Sequence, residues 1–105
     1  MQGLELTAFE IISAVGTARS CYIEAIQEAK KGNYAAAAER IKEGDESFAQ
    51  GHDAHAGLLT KEAEGENTVS LLILHAEDQL MSAEGFKIIA QEIIEVYQRV
   101  DALNK

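Results

Sequence analysis

Residues 71–81 read LLILHAEDQLM, and this stretch decides how the rest of the chain is interpreted. Four aliphatic residues open it, and an imidazole, two carboxylates and an amide follow: His75, Glu77, Asp78 and Gln79. At the pitch of a helix, His75 shares a face with Asp78 and Gln79, three and four residues further on. Polar groups in so apolar a segment either form a site or are buried with hydrogen-bonding partners. The stretch therefore predicts a packed helix that also carries candidate functional residues.

The composition favours one small all-α domain over residues 1–105. Apolar residues make up 47% of the 105 residues, enough for a single core, and 6% are aromatic. The chain has no proline, while alanine, leucine, isoleucine and glutamate are plentiful. This mixture favours helix over strand and allows long helices to run without a break.

The chain is strongly acidic, with 18 acidic and 9 basic side chains and a formal net charge of −9. A surface of that sign repels phosphate backbones, which argues against nucleic-acid binding. It suits the steering of a basic protein partner. The alternative is a solvated acidic surface with no particular partner.

The predicted compartment is the cytoplasm. Cys21 is the single cysteine, so no internal disulfide can form and reducing surroundings are expected. At an apolar helical position, Cys21 is interpreted as a small core residue rather than a nucleophile. Residues 1–10 lack the basic and apolar regions of a signal peptide, and Leu71–Leu74 is too short to cross a bilayer.

The spacing of apolar residues predicts three helices, at about residues 7–31, 34–64 and 68–101. Thr7 and Glu10 form a predicted capping box at the start of the first helix, and Gly32 supplies the left-handed residue after its end. The predicted caps of the second and third helices are Asn33 and either Asn67 or Thr68.

Three glycines fall inside the second predicted helix: Gly44, Gly51 and Gly57. Each costs a helix roughly 1 kcal/mol relative to alanine, so their presence predicts close approach of a neighbouring backbone. One long helix with an irregularity near Gly51 is favoured over a break at that point.

Two short turns between three helices predict an antiparallel up-down-up bundle. The first half of the third helix is apolar in nearly every direction, through Val69 and Leu71–Leu74. A lone three-helix bundle buries one side of each helix, so the other side of this one needs covering as well. A homo-oligomer with the third helix at its interface is predicted.

His75 has two interpretations at this point. It is either a core histidine satisfied by a nearby carboxylate or carbonyl, in a helical interaction module without catalytic activity, or a nucleophile with one exposed ring nitrogen. Gln79 and Ser82 lie on its face and could donate hydrogen bonds to a bound anion. Asp78 is either an orienting partner of His75, a surface acid, or one of several carboxylates that converge on a symmetry axis and bind a hard cation.

His52 and His55 lie three residues apart on the apolar face of the second predicted helix. They are interpreted as packed, polar-tipped residues, with a two-histidine metal site as the weaker alternative, because no further ligand is nearby in the sequence. A nucleophile elbow, a glycine-rich loop after a strand and a CxxC pair are all absent from the sequence, which removes most hydrolase, nucleotide-binding and zinc-finger functions.

The segment LLILHAEDQLM strongly resembles the phosphorylation-site motif of the lactose/cellobiose-specific enzyme IIA proteins of the bacterial phosphoenolpyruvate-dependent sugar phosphotransferase system. Similar segments cover nearly the whole chain: Phe9–Ile12, Gly16 and Ala18–Ser20 in the first helix, Glu28–Ala29 and Gly32–Tyr34 at the first turn, Glu62–Ala63 and Gly65–Glu66 at the second, and Ile93–Tyr97 near the end.

The resemblance implies that His75 is the phospho-acceptor of a phosphotransferase component. It would take a phosphoryl group from the phosphocarrier protein HPr and pass it to a cysteine of the cognate enzyme IIB, ahead of sugar uptake through the membrane component IIC. The family forms homotrimers, and Asp78 matches an aspartate that binds a metal ion at the threefold axis. The implied ion is a divalent cation, with Mg²⁺ the first candidate.

The chain departs from the family's patterns at two places. Many members read HAQDHLM, where this chain has Glu77 and Gln79. The second helix often carries AHxxQT, whereas here His52 matches the histidine, Gly51 precedes it, and His55–Ala56 replace Gln-Thr. The roles of these positions stay open, and so does the sugar: cellobiose is preferred, with lactose and chitobiose as alternatives.

Overall fold

A computed structural model of the chain describes residues 3–66 and 69–104, and within these ranges it consists of three helices. α1 spans Gly3–Lys30, α2 spans Tyr34–Ala63 and α3 spans Leu71–Leu103. Because α2 runs antiparallel to both other helices, α1 and α3 point the same way, and the bundle measures 59 × 19 × 19 Å. The predicted all-α, up-down-up architecture is confirmed.

The start of α1 differs from the prediction. The helix begins at Gly3, so the predicted capping box at Thr7 and Glu10 is wrong. Thr7 lies inside α1, where its hydroxyl donates a 3.2 Å hydrogen bond to the carbonyl of Gly3. A threonine within a helix commonly bonds back to the carbonyl four residues earlier, and its side chain is then unavailable as a cap.

Each of the two turns contains a glycine with left-handed backbone, as predicted for Gly32. Gly32 has φ +84 and Gly65 has φ +90. After α1, the N–H of Asn33 donates to the carbonyl of Glu28 at 2.9 Å, and after α2 the N–H of Glu66 donates to the carbonyl of Lys61 at 3.0 Å. These six-to-one hydrogen bonds satisfy carbonyls at the helix ends and close both helices in the same way.

The helix caps only partly match the prediction. Asn33 precedes α2, but its side chain makes no capping hydrogen bond and donates instead to Glu28 at 3.3 Å. Ser70 caps α3, because its hydroxyl accepts a 3.2 Å hydrogen bond from the N–H of Ile73. The predicted caps Asn67 and Thr68 lie outside the described residues.

The core is narrow because alanines make up most of it, and α1 contributes the largest share. Three buried clusters follow one another along α1: Ala8, Ile11 and Val15 with Ala76, Leu80 and Ala83; Ala18 and Tyr22 with Ala90; and Ala25 and Ala29 with Ala37. Within the described ranges, none of the helices has an apolar window long enough to cross a bilayer.

Two of the three glycines in α2 are places of close packing. A Cβ at Gly44 would lie 2.5 Å from Cε1 of Tyr22, and one at Gly51 would lie 2.7 Å from Cγ1 of Val15. The nearest neighbours at both positions are side chains of α1. At Gly51 the backbone carbonyl oxygen of Ile11 also lies 3.6 Å from such a Cβ, so the predicted approach of a backbone is found there and not at Gly44. Gly57 has open space around it, so the prediction of close approach is wrong there, and α2 continues through all three positions as one helix.

α2 and α3 pack less closely on each other than either packs on α1, and polar contacts at three levels link them. From the turn between α1 and α2 towards the start of α3, these contacts are Tyr34 with Asp101, Asp45 with Lys87, and His55 with Glu77. The pairing runs in opposite directions along the two helices, as antiparallel neighbours require. These contacts agree with the antiparallel alignment of α2 and α3, which both pack against α1.

Candidate functional site

The candidate residues lie at the beginning of α3, where the backbone is fixed by the Ser70 cap. Leu71 is the first helical residue, so His75 falls in the second turn. Ala76 and Leu80 are buried against α1 and fix the rotation of α3. Residues on the other sides of α3, which include Leu74, His75 and Asp78, then face away from the bundle core.

The imidazole of His75 is exposed. His75 is therefore not a core histidine within a single chain. An exposed imidazole on a rigid helix can act as a nucleophile towards a docked partner, because no rearrangement is needed to uncover a ring nitrogen.

The side chains that share the face of His75 are Gln79, which is half-buried, and Ser82, which is exposed. Phe86 lies one turn further along the same face, and the guanidinium of Arg19 from α1 sits 5.9 Å from the centre of its ring. This contact shows that the His75 face of α3 borders α1. His75, Gln79 and Ser82 lie along one side of α3, as helical spacing requires, and the structure adds a cation at the far end of that side.

Asp78 is exposed, and within the described residues no hydrogen bond or ion pair joins it to His75. It lies on the outside of α3, opposite the bundle core. The residues one turn to either side of it, Leu74 and Met81, are 51% and 62% exposed. A carboxylate with this placement is not an orienting partner of the imidazole.

Glu77 turns away from His75 and towards α2. Its Oε1 lies 2.9 Å from Nε2 of His55. An ionised carboxylate can only accept a hydrogen bond, so Nε2 is the donor in this pair. Glu77 and His55 are two of the positions at which the chain departs from the family's patterns, and the structure brings them into contact with each other.

The other candidate histidine, His52, is exposed, which corrects its interpretation as a packed residue of the apolar face. Its ring centre lies 6.3 Å from that of Phe48, with the planes tilted by 33°. His55 is held by Glu77 instead of joining His52. Among the described residues, no group of three or more His, Cys, Asp or Glu side chains is arranged to hold a metal ion within one chain.

Cys21 is half-buried instead of being a core residue. Burial raises the pKa of its thiol, and the nearby Glu24 and Glu43 raise it further, while Arg40 lowers it. A thiol with a raised pKa is a poor nucleophile near neutral pH, so the view that Cys21 is not a catalytic residue agrees with its surroundings.

The contacts of Arg19 and of the His55–Glu77 pair are not predictable from the sequence. Both contacts join residues of different helices, at sequence separations for which helical spacing gives no information. For His55 and Glu77, one feature of the sequence points to a contact: each helix departs from the family's pattern at one of these two positions.

The chain is similar to characterised proteins over almost its entire length. A family model described as "PTS system, Lactose/Cellobiose specific IIA subunit" matches residues 6–98. The lactose-specific EIIA component of the phosphotransferase system of Staphylococcus aureus (strain N315) is 36% identical over 97 residues, which cover 91% of this chain and 94% of the relative.

Two solved structures have the same fold. The crystal structure of the cellobiose-specific enzyme IIA from Bacillus anthracis superposes with a TM-score of 0.92 at 36% identity, covering 97% of this chain and 95% of that chain. Solution structures of the IIA(Chitobiose)–HPr complex contain a chain with a TM-score of 0.86 and 27% identity, covering 96% of this chain and 99% of that chain. With these matches, the chain belongs to the lactose/cellobiose-specific IIA subunit family of the phosphotransferase system.

Proposed function

We propose that this IIA subunit carries a phosphoryl group on His75. A ring nitrogen of His75 attacks the phosphorus of phospho-HPr, so that a P–N bond forms on His75 as the P–N bond on HPr breaks. The second transfer forms a P–S bond on a cysteine of the cognate enzyme IIB as the bond to His75 breaks. The exposure of His75 near the start of a helix that is capped by Ser70 is the observation that carries this proposal.

The donor HPr is proposed on two grounds. The IIA(Chitobiose)–HPr complex contains a protein whose fold this chain shares. The net charge of −9 favours a partner with a basic rim, since complementary charge speeds the formation of a transient complex. Phosphoryl transfer depends mainly on positioning, so an exposed acceptor on a fixed helix needs little further help.

Gln79 and Ser82 are proposed as neighbours of the phosphoryl group. Their amide and hydroxyl groups lie on the face of His75, one and two turns further along α3. Both can donate hydrogen bonds to phosphoryl oxygens without adding charge. Such uncharged donors hold the group in place while leaving the transfer reversible.

A homotrimer is proposed from the outer side of α3. Six exposed residues recur there at alternating intervals of three and four: Leu71, Leu74, Asp78, Met81, Gly85 and Ile88. We call this set the α3 seam. Spacing of this kind is typical of helices that pack around a common axis. Leu71 is 84% exposed, Met81 62% and Ile88 58%, so a single chain leaves much of the seam in water.

The divalent metal ion is proposed to lie on the axis of this trimer. Asp78 belongs to the α3 seam, so three subunits would bring three carboxylates together. Carboxylates at a shared axis bind a hard cation or become protonated, because they repel one another. The oxygens of Asp78 fit such an ion, Mg²⁺ foremost, which would cancel that repulsion and take no part in the transfer at His75.

The test of this function is phosphorylation by the upstream carriers. The protein is incubated with phosphoenolpyruvate, enzyme I and HPr, and acid-labile phosphate on the protein is measured before and after addition of candidate IIB proteins. We expect label on the wild type, none on His75→Ala, and loss of the label to the cognate IIB. A wild type that takes no label, or a His75→Ala protein that labels equally well, would contradict the proposal.

A further inference from the structure

The His55–Glu77 pair lies at the end of the bundle where α3 begins. The two side chains are 19% and 43% exposed, and the hydrogen bond between them is 2.9 Å long. His55 belongs to α2, so this hydrogen bond ties the carboxylate of Glu77 to α2. Neither residue has a role in the proposed transfer at His75.

Glu77 and His75 lie on opposite flanks of α3. They are two residues apart, which places them about 200° apart around a helix. Relative to the α3 seam, His75 directly follows the seam residue Leu74, and Glu77 directly precedes the seam residue Asp78. In one subunit, therefore, the Glu77 carboxylate points away from the imidazole.

A parallel trimer changes that relationship. When helices pack around a common axis through such a seam, the flank that precedes the seam residues on one helix faces the flank that follows them on the next. The flank with Glu77 on one subunit then faces the flank with His75 and Ser82 on its neighbour. The carboxylate is brought beside a site that receives a phosphoryl group.

A free carboxylate in this position would oppose the transfer, because it and the phosphoryl group are both negative. The hydrogen bond from His55 prevents this, since it holds the carboxylate against α2. We propose that His55 is a positioning residue for the neighbouring subunit: it keeps Glu77 away from the phosphoryl group on the neighbour's His75. This inference rests on the proposed function and on the proposed trimer.

The first experiment compares rates of phosphoryl transfer from HPr to variants at the pair. We expect His55→Leu to slow the transfer about tenfold, equivalent to ~1.4 kcal/mol. His55→Gln should stay close to wild type, because the glutamine amide can still donate to Glu77. The double variant His55→Leu, Glu77→Gln should regain the wild-type rate, because the charge is gone. A normal rate for His55→Leu, or no recovery in the double variant, overturns the inference.

A structural control uses another link between the same two helices. Lys87 lies 2.9 Å from Asp45, so Lys87→Met breaks an α2–α3 contact far along α3 from His75. We expect this variant to lower the melting temperature and leave the transfer rate unchanged. If the rate falls with melting temperature in both Lys87→Met and His55→Leu, the effect is one of stability and the inference is wrong.

The second experiment tests whether the pair acts on the neighbouring subunit. His55→Leu subunits, which keep His75, are assembled with His75→Ala subunits, which keep the pair. We expect mixed trimers to label faster per His75 than pure His55→Leu trimers. An unchanged slow rate in the mixed trimers, or a protein that is monomeric in solution, overturns the inference. A wild type that takes no label overturns the proposed function as well, which separates the two failures.

Discussion

The Tyr22 hydroxyl of α1 donates a 2.8 Å hydrogen bond to Oδ1 of Asp45 on α2. The same oxygen lies 2.9 Å from Nζ of Lys87 on α3, so one carboxylate links all three helices. Tyr22 itself is fully buried, and a buried hydroxyl needs such a partner. This connection lies about midway along the bundle and holds the helices on which the candidate site depends.

Gly44→Ala should destabilise the protein by ~1–3 kcal/mol, because the added Cβ would lie 2.5 Å from the ring of the buried Tyr22. The matched control is Gly57→Ala in the same helix. Nothing lies within 4 Å of a Cβ at Gly57, so that change should stabilise the protein by ~0.5–1 kcal/mol. Urea unfolding measures both changes, and equal effects at the two glycines would contradict the packing described.

Tyr22 and Tyr34 each donate a hydrogen bond to a carboxylate, and we therefore expect the protein to lose stability at alkaline pH. The hydrogen bond to Asp101 is the largest cause that raises the pKa of Tyr34 from 10.0 to about 12. Burial, followed by the bond to Asp45, raises the pKa of Tyr22 above its ordinary range. The fold thus favours the protonated phenols, so the stability that they contribute is complete below pH 10. The part that comes from Tyr34 is lost as the pH rises from 10 towards 12.

Tyr34→Phe should therefore lose less stability than the wild type between neutral pH and pH values above 10. The measurement is the midpoint of urea unfolding as a function of pH, with the variant and the wild type compared at each value. A Tyr34→Phe curve parallel to that of the wild type throughout this range would show that the phenol does not contribute in this way.

Leu74→Glu should break the trimer, because it places a charge in the α3 seam one turn before Asp78. The matched control is Leu6→Glu, at a leucine of similar exposure that lines the groove between α1 and α2. The exposed fractions are 51% for Leu74 and 47% for Leu6. Light scattering should show a smaller mass for Leu74→Glu alone. A wild type of monomer mass would remove the proposed seam contact altogether.

Asp78→Leu should abolish metal binding and preserve the trimer. It replaces three carboxylates that repel one another with apolar area at the axis. Metal content per trimer, measured by elemental analysis after dialysis, should fall to background in this variant and stay unchanged in Asp53→Leu, a change at an exposed acid of α2. Metal content that survives Asp78→Leu would contradict the placement of the ion.

Much of the fold follows from spacing along the sequence. Apolar periodicity predicts the three helices, and Gly32 marks the end of α1. The beginning of α1 is mispredicted because Thr7 can bond either forwards as a cap or backwards to the carbonyl of Gly3, and sequence does not distinguish the two. The glycines at positions 44 and 51 predict that a neighbour packs closely there. They do not predict which residues do so, because Tyr22 and Val15 lie on another helix.

The site is predictable to a similar degree. The shared face of His75, Gln79 and Ser82 follows from helical spacing within one element. The pairing of His55 with Glu77 does not, because it depends on how α2 and α3 pack side by side, which spacing within one helix does not give. The exposure of His75 depends on the rotation of α3, which buried Ala76 and Leu80 fix.

The most direct test of His75 as the phospho-acceptor is to locate the phosphoryl group within the labelled protein. After labelling by phospho-HPr, peptides separated under alkaline conditions are sequenced by mass spectrometry, and wild type is compared with His52→Ala and His75→Ala. We predict phosphate on His75 alone, in wild type and in His52→Ala, and none in His75→Ala. Phosphate on His52 or His55, or label that survives His75→Ala, would contradict the account.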